Sequence, residues 1–280
     1  MAIPHFTVAV AVALPVWYNF RTATAPFARR AMTHIFCPSR RHVLDVLAAA
    51  LILSPAANAL AQGASTLKIA TIGAGAEGGA LGTIFAKLGH PVMFSSRHPE
   101  QLKDLVAAAG PNARAGSVAD AVAFGDVIFL VVPYTAVEQI GKDYGKALAA
   151  KPLVVDVSNP SAARDGDALA KWVDAQGGAG LATAKLLPGA HIVRAFNNFG
   201  HNGLHGAEVL VKPTLAQTVG VPIAGDDEKA VALATKLFKE TRFEPVLIGG
   251  LAKGKYLVPG SVISGEHTPD EFRKIAAGLK

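Results

Sequence analysis

The 280-residue chain holds one cysteine, Cys37, so neither an intrachain disulfide nor a Cys-rich zinc site can form. Charged residues are scarce, at 17% against a usual quarter, while 51% of residues are hydrophobic. That balance argues against a disordered chain. The length suffices for one large domain or two small ones with a sizeable core. Acid is nearly missing from residues 1–61, where Asp45 stands against Arg21, Arg29, Arg30, Arg40 and Arg41. The formal net charge of +6 therefore gathers in the N-terminus and leaves the body nearly neutral. No nucleic-acid partner is expected of such a body. A long apolar span is also lacking. Val8 to Phe20 contains Pro15 and is shorter than the roughly 20 residues of a membrane helix, so no stable membrane anchor is expected. There is no Ser-His-Asp order with a nucleophile elbow, no H-E-x-x-H and no acidic metal cluster. No metal site is expected.

The first sixty residues read as an address. Basic Arg40-Arg41 precede an apolar run, Val43 to Leu53, broken only by Asp45. Ala59-Leu60-Ala61 then forms an A-x-A cleavage pattern before Gln62. Ser39-Arg40-Arg41-His42-Val43-Leu44 resembles a twin-arginine export signal. A periplasmic location follows as the expectation, with a cytoplasmic location and an amphipathic N-terminal helix as the alternative. Met32 opens the signal, so residues 1–31 read as an upstream extension, although Met1 stays open as the start. Cleavage after Ala61 would remove Cys37 and, with it, any cysteine chemistry.

The body begins with a β-rich run, Leu67 to Ile72, followed at once by Gly73-Ala74-Gly75-Ala76-Glu77-Gly78. Gly79 to Leu88 reads as a buried helix, and His90 to Ser96 as a second strand. A G-x-G-x-x-G string is weak alone and strong between a strand and a helix in a βαβ unit of about thirty residues. Gly73 permits the tight turn, Gly75 lets backbone approach a pyrophosphate, and Gly78 allows close helix–strand packing. The helix N-terminus offers unpaired N–H groups and its positive dipole end to that phosphate.

One more absence selects the cofactor. NAD binders usually carry Asp or Glu at the end of the second strand, where it holds the ribose 2′-hydroxyl. Here that end reads Ser95-Ser96-Arg97-His98. Hydroxyls can donate to a 2′-phosphate and Arg97 can pair with it, so NADP(H) is expected over NAD.

Beyond this unit the chain keeps alternating. Helices are expected at Gln101–Ala109, Ala119–Ala123, Thr135–Ala149, Leu181–Leu187 and Asp227–Thr241. Strands are expected at Asp126–Val132, Leu153–Val157, His191–Phe196, Val219–Ala224 and Phe243–Ile248. Thr135 with Glu138 reads as a capping box, and Asp226 or Asp227 as a cap. Residues 161–180 read as loop plus a short helix. The pattern implies an α/β fold, a Rossmann-type doubly wound, mostly parallel sheet with a small C-terminal extension. The expected division is 1–61 signal, 66–198 nucleotide domain, and 199–280 completing the sheet and covering the substrate site. Ligands bind at the carboxyl ends of such strands. Those ends place Ala74 to Gly78, Ser95 to His98, Val132-Pro133-Tyr134, Ser158 to Pro160 and Asn197-Asn198 at the site.

The ordered series Ile72-Gly73-Ala74-Gly75…Gly78, Leu88-Gly89-His90, Ser96-Arg97, Val132-Pro133-Tyr134 and Ala195-Phe196-Asn197 resembles a known family. It is similar to the NADP-dependent oxidoreductases related to NADPH:deazaflavin (coenzyme F420) oxidoreductase. The nucleotide domain also resembles the N-terminal domain of pyrroline-5-carboxylate reductases. The likeness continues through Ala224-Gly225-Asp226-Asp227, Pro245-Val246 and Gly250-Leu251-Ala252, over about residues 66–256. It implies that Gly73, Gly75 and Gly78 take the pyrophosphate, that Ser96 and Arg97 take the 2′-phosphate, and that Tyr134 lies near the nicotinamide. Relatives commonly carry Asn and an aliphatic residue where this chain has Ala76-Glu77. Glu77 favours the helix dipole but opposes a bound anion, and is expected to point outward.

Hydride transfer to a second flat ring needs stacking and alignment more than a strong acid or base. Asn197 and Asn198 could orient a carboxamide or a carbonyl. His201 and His205 could give protons or be plain loop residues. Asp156 and Asn159 could shape their turn. The acceptor class is flavin- or deazaflavin-like, or a small imine or carbonyl. The alternatives are a non-catalytic NADP-binding redox-sensing module, and a fold using S-adenosylmethionine, against which Ser95-Ser96-Arg97 argue. A homodimer is open.

Overall fold

The computed structural model describes residues 66–198, 218–241 and 243–280. The described residues fall within one compact unit, Ala64–Lys280. The signal-like segment, Cys37, His201 and His205 lie outside the described residues.

Four short apolar segments form the centre of the sheet: β1 (Ile69–Ile72), β2 (Val92–Ser95), β4 (Val127–Leu130) and β5 (Leu153–Asp156), every residue of them buried. Strands buried on both faces carry continuous apolar runs rather than alternation, as parallel sheets require. β3 (Ala113–Gly116), β6 (Ile192–Arg194), β7 (Val219–Gly225) and β8 (Phe243–Gly249) complete it. The eight-stranded order is β3-β2-β1-β4-β5-β6-β7-β8. All pairings are parallel except β6 with β7. The run 3-2-1-4-5-6 is the doubly wound dinucleotide-binding order. The Rossmann-type α/β fold is thus present, and the segment after residue 198 joins the same sheet.

Helices α1 (Ala76–Lys87), α2 (Lys103–Ala109), α3 (Val118–Phe124), α4 (Val137–Ala149), α5 (Ala162–Asp165), α6 (Asp167–Ala175), α7 (Ala179–Leu186), α8 (Glu228–Phe238) and α9 (Pro269–Ala277) surround the sheet. One core layer joins α1 and α8 to the sheet through Leu81, Phe85, Phe129, Leu237 and Phe238. A second, on Ile128, Leu130 and Val154, gathers α3, α4 and α7. A third, smaller cluster around Phe272 seats α9 against β7 and β8.

Several boundaries differ from expectation. Thr135 caps nothing: a 3-10 turn, Tyr134–Ala136, precedes α4, whose N-cap Ala136 makes no side-chain bond. Glu138 pairs with Lys142 instead, one turn on. Residues 161–180 hold two helices, α5 and α6, and the start of α7. Asp227 does cap α8, accepting the N–H groups of Lys229 and Ala230.

Candidate functional site

The turn between β1 and α1 is built around glycine. Gly73 has φ +98°, and a Cβ there would lie 2.1 Å from the Val131 carbonyl oxygen. A Cβ on Gly78 would lie 1.9 Å from the Gly73 oxygen, so the first turn of α1 sits directly on the β1 turn. Gly75 behaves differently: nothing lies within 4 Å of where its Cβ would stand. Its α-carbon faces an open cleft. Gly75 is also the N-cap of α1 and makes no side-chain cap bond. The first N–H groups of the helix are therefore left for a ligand.

The cleft encloses about 750 Å³. Gly75, Ala76, Glu77 and Gly78 line one end, Val131, Val132 and Pro133 the next stretch, and Val157 to Ser161 the one after. These are the carboxyl ends of β1, β4 and β5 in sheet order. Val173, Gly178, Ala179, Lys255, Val258 and Pro259 form the far wall. The shape suits a dinucleotide laid across the strand ends, with its pyrophosphate at α1 and its reactive ring over β4 and β5.

The expected residues divide among several environments. Gly75 to Gly78, Val132 and Pro133 line the cleft; Gly73 and Ala74 form the turn behind them. Ser96 and Arg97 follow β2, half-buried and exposed respectively; the Ser96 hydroxyl accepts the His98 N–H at 3.1 Å. Ser95 is corrected: it is fully buried and donates to the Thr71 carbonyl at 2.9 Å, so its hydroxyl serves the sheet. Tyr134 is corrected too. It is 1% exposed, and its hydroxyl lies 3.0 Å from Thr183 Oγ1 and 3.3 Å from the Ala179 carbonyl. Burial pushes its pKa up to about 12. It ties the start of α4 to α7 and does not line the cleft. Glu77 does not turn outward: it lines the cleft, half-buried, with Oε2 shielded from solvent.

Asn197 is 1% exposed and donates to the Asp156 carbonyl at 3.1 Å, which sets it in the fabric under the site. Asn198 bonds the Ile263 and Gly265 carbonyls. Between them and β6, Phe196 adopts φ +64°, a left-handed conformation that non-glycine residues seldom take. Its ring packs edge-on against Phe238 at 4.8 Å and Phe243 at 5.5 Å, and the same residue lines the cleft. Packing against these two rings and, at 6.4 Å, the Phe129 ring holds the strained backbone.

Sequence reasoning passed over the centre of this region. Arg194, on β6, is fully buried and ion-paired with fully buried Asp156, on β5. Its Nη1 also donates to the Ser158 carbonyl at 3.0 Å, and Nη2 to Asn159 Oδ1 at 3.0 Å and the Leu257 carbonyl at 2.9 Å. Gly180 and Gly254 make room for it; a Cβ on Gly254 would stand 2.8 Å from Arg194 Cδ. The guanidinium thus joins the Ser158-Asn159 wall to the Leu257–Pro259 wall. The signal was legible as one arginine and one aspartate inside two apolar strands, because unpaired charges are not buried there. Arg164 was missed as well. It lines the cleft beside Asp165, whose carboxyl is held below the usual aspartate range first by the Arg164 hydrogen bond.

The profile of the family described as "NADP oxidoreductase coenzyme F420-dependent" matches residues 68–160. Among curated proteins none matches the chain. Among solved structures, the chain is similar to a hypothetical protein of Sinorhizobium meliloti, with TM-score 0.57 and 23% identity over 75% of this chain and 98% of that one. It is also similar to a provisionally named F420-dependent NADP reductase of Arthrobacter sp. FB24, with TM-score 0.53 and 20% identity over 68% and 87%. At such identities the likeness is one of fold. Over residues 68–160, which hold the glycine turn and the ends of β4 and β5, the chain is similar to the coenzyme F420-dependent NADP oxidoreductases.

Proposed function

We propose that the protein is an NADPH-dependent reductase that passes hydride to a flavin- or deazaflavin-like ring, or to a small imine or carbonyl. The observation that carries this reading is Gly75. Its α-carbon faces an open cleft at the uncapped start of α1, where a pyrophosphate would be met by backbone N–H groups alone. Bound NADPH would supply the hydride. The chain's own residues bind and orient: α1 takes the pyrophosphate, and apolar Val131, Val132, Pro133 and Val157 wall the ring and exclude water. Alignment is the main demand of hydride transfer, which suits a ring site walled by Val131, Val132, Pro133 and Val157. Asn197 stands below the ring site as a support, and His201 stays a candidate proton donor on the sequence alone.

The preference for NADP(H) over NAD(H) rests on Ser96 and Arg97 with no acid at the end of β2. Arg97→Ala is expected to weaken NADPH binding by roughly ten-fold or more, the size of a lost charge-assisted contact, and NADH binding little. Titration of both nucleotides checks this; equal losses sink the assignment. Export by the twin-arginine-like segment, cleavage after Ala61 and a periplasmic site of action belong to the same proposal.

A further inference from the structure

Resting on that reductase reading, we propose that the acceptor bears an oxyanion, a carboxylate or phosphate, and that Arg164 and Lys255 form the subsite receiving it. The pyrophosphate end of the cleft is at Gly75–Gly78, after β1. Asn159 and Arg164 follow β5, two strands along the order β1-β4-β5, or about 10 Å away. A cation there stands past the pyrophosphate, at the end of the cleft where an acceptor would enter.

Arg164 is held in place. Its Nε donates to Asp165 Oδ1 at 2.9 Å, and its Nη2 to Asp165 Oδ2 at 2.7 Å and to the Asn159 carbonyl. Asp165 is turned inward, its side chain 1% exposed. It also accepts the Ser161 N–H at 2.9 Å and the Thr135 N–H. Those two backbone donors already offset part of the carboxylate's charge, so the guanidinium keeps a positive field toward the cleft. Nη1 has no acceptor among the described residues, and the side chain is half exposed. A planar fork fixed on one edge and open on the other loses little freedom on meeting an oxyanion.

Lys255 comes from the far wall. Its Nζ stands 5.0 Å from the Tyr256 ring centroid and makes no ion pair among the described residues. Asp174, on α6, is the unpaired acid at this end; it is exposed and bonds neither cation. Glu77 lies at the opposite, pyrophosphate end. Two cations with open donors therefore line one cleft, Arg164 from the segment after β5 and Lys255 from the segment after β8.

The test uses one ring with three arms. Riboflavin, FMN and an isoalloxazine with a carboxyalkyl arm at N10 are titrated into the full chain saturated with NADP+, followed by flavin fluorescence. The anionic arms are expected to bind roughly ten-fold tighter than riboflavin, with an advantage that shrinks as salt rises. Arg164→Gln and Lys255→Gln, both at exposed positions, are each expected to cut that advantage while leaving riboflavin and NADP+ affinities unchanged. A gain for FMN alone assigns a phosphate; a gain for both anionic arms assigns an oxyanion of either kind. Equal binding of all three, no flavin binding, or an advantage that survives both substitutions overturns the proposal. Failure of NADP+ to bind brings down the reductase reading as well, whereas NADP+ binding without discrimination among the arms brings down this proposal alone.

Discussion

Two glycines three residues apart do opposite work, and substitution separates them. Gly75 faces open space and Gly78 faces the Gly73 carbonyl at 1.9 Å from its would-be Cβ. Gly75→Val is expected to leave the melting temperature near that of the parent and to abolish nucleotide binding, because the new side chain fills ligand space. Gly78→Ala is expected to lower the melting temperature, because α1 must back away from β1. Calorimetry with nucleotide titration checks both; a Gly75→Val protein that binds normally would put the pyrophosphate elsewhere. The glycine spacing was legible because each position answers to one backbone constraint. Ser95 and Tyr134 were not, since a polar side chain at a strand end serves ligand or fabric equally well in sequence. Burial decided it: Ser95 bonds Thr71 and Tyr134 bonds Thr183. Arg194 was legible in part. The charges inside two apolar strands marked a buried pair, but its link to the far wall was hidden: Asp156, Ser158 and Asn159 lie 35 to 38 residues before Arg194 and Leu257 lies 63 after it.

Among elements, the strongly apolar strands and the long helices stood out in the sequence, while the weak ones did not. β3 reads Ala-Arg-Ala-Gly, without a β-branched or aromatic residue, and it exists because β2 offers an unpaired edge. α9 carried a legible start that was passed over: Thr268 accepts the Glu271 N–H while Glu271 accepts the Thr268 N–H, with Pro269 at the first helical position. α8 offers the sharpest test of a cap. The Asp227 carboxyl is held below the ordinary aspartate range, first by the Ala230 N–H and next by the His191 hydrogen bond. A depressed folded-state value gives stability that is fully present above the unfolded aspartate range, near about pH 4, and lost as pH falls through the folded value. Asp227→Asn keeps a capping oxygen but has nothing to titrate. Its stability is expected to fall less steeply than the parent's between neutral and strongly acidic pH. Parallel acid-side melting curves for the two proteins would refute the assignment.

For the molecule as a whole, binding needs the assembled sheet. The cleft draws residues from the β1–α1 turn, from the ends of β4 and β5, and from Lys255 to Pro259 beyond β8. Arg194 links the last two of these through Asn159 and Leu257. A nucleotide would therefore be held only by a chain that has folded through its C-terminal third. That requirement fits the N-terminal segment, where Arg40-Arg41 precede Val43–Leu53 and Ala59-Leu60-Ala61. The twin-arginine route carries proteins already folded, and a chain whose cleft draws on both halves of the sheet would load its cofactor before it crosses. Arg40→Lys with Arg41→Lys is expected to hold the unprocessed protein in the cytoplasm, while the parent yields a mature chain beginning at Gln62. Fractionation and N-terminal sequencing from the native host check this. A soluble cytoplasmic protein still carrying residues 32–61 would sink the export proposal. It would leave the basic segment to be explained as an amphipathic docking helix.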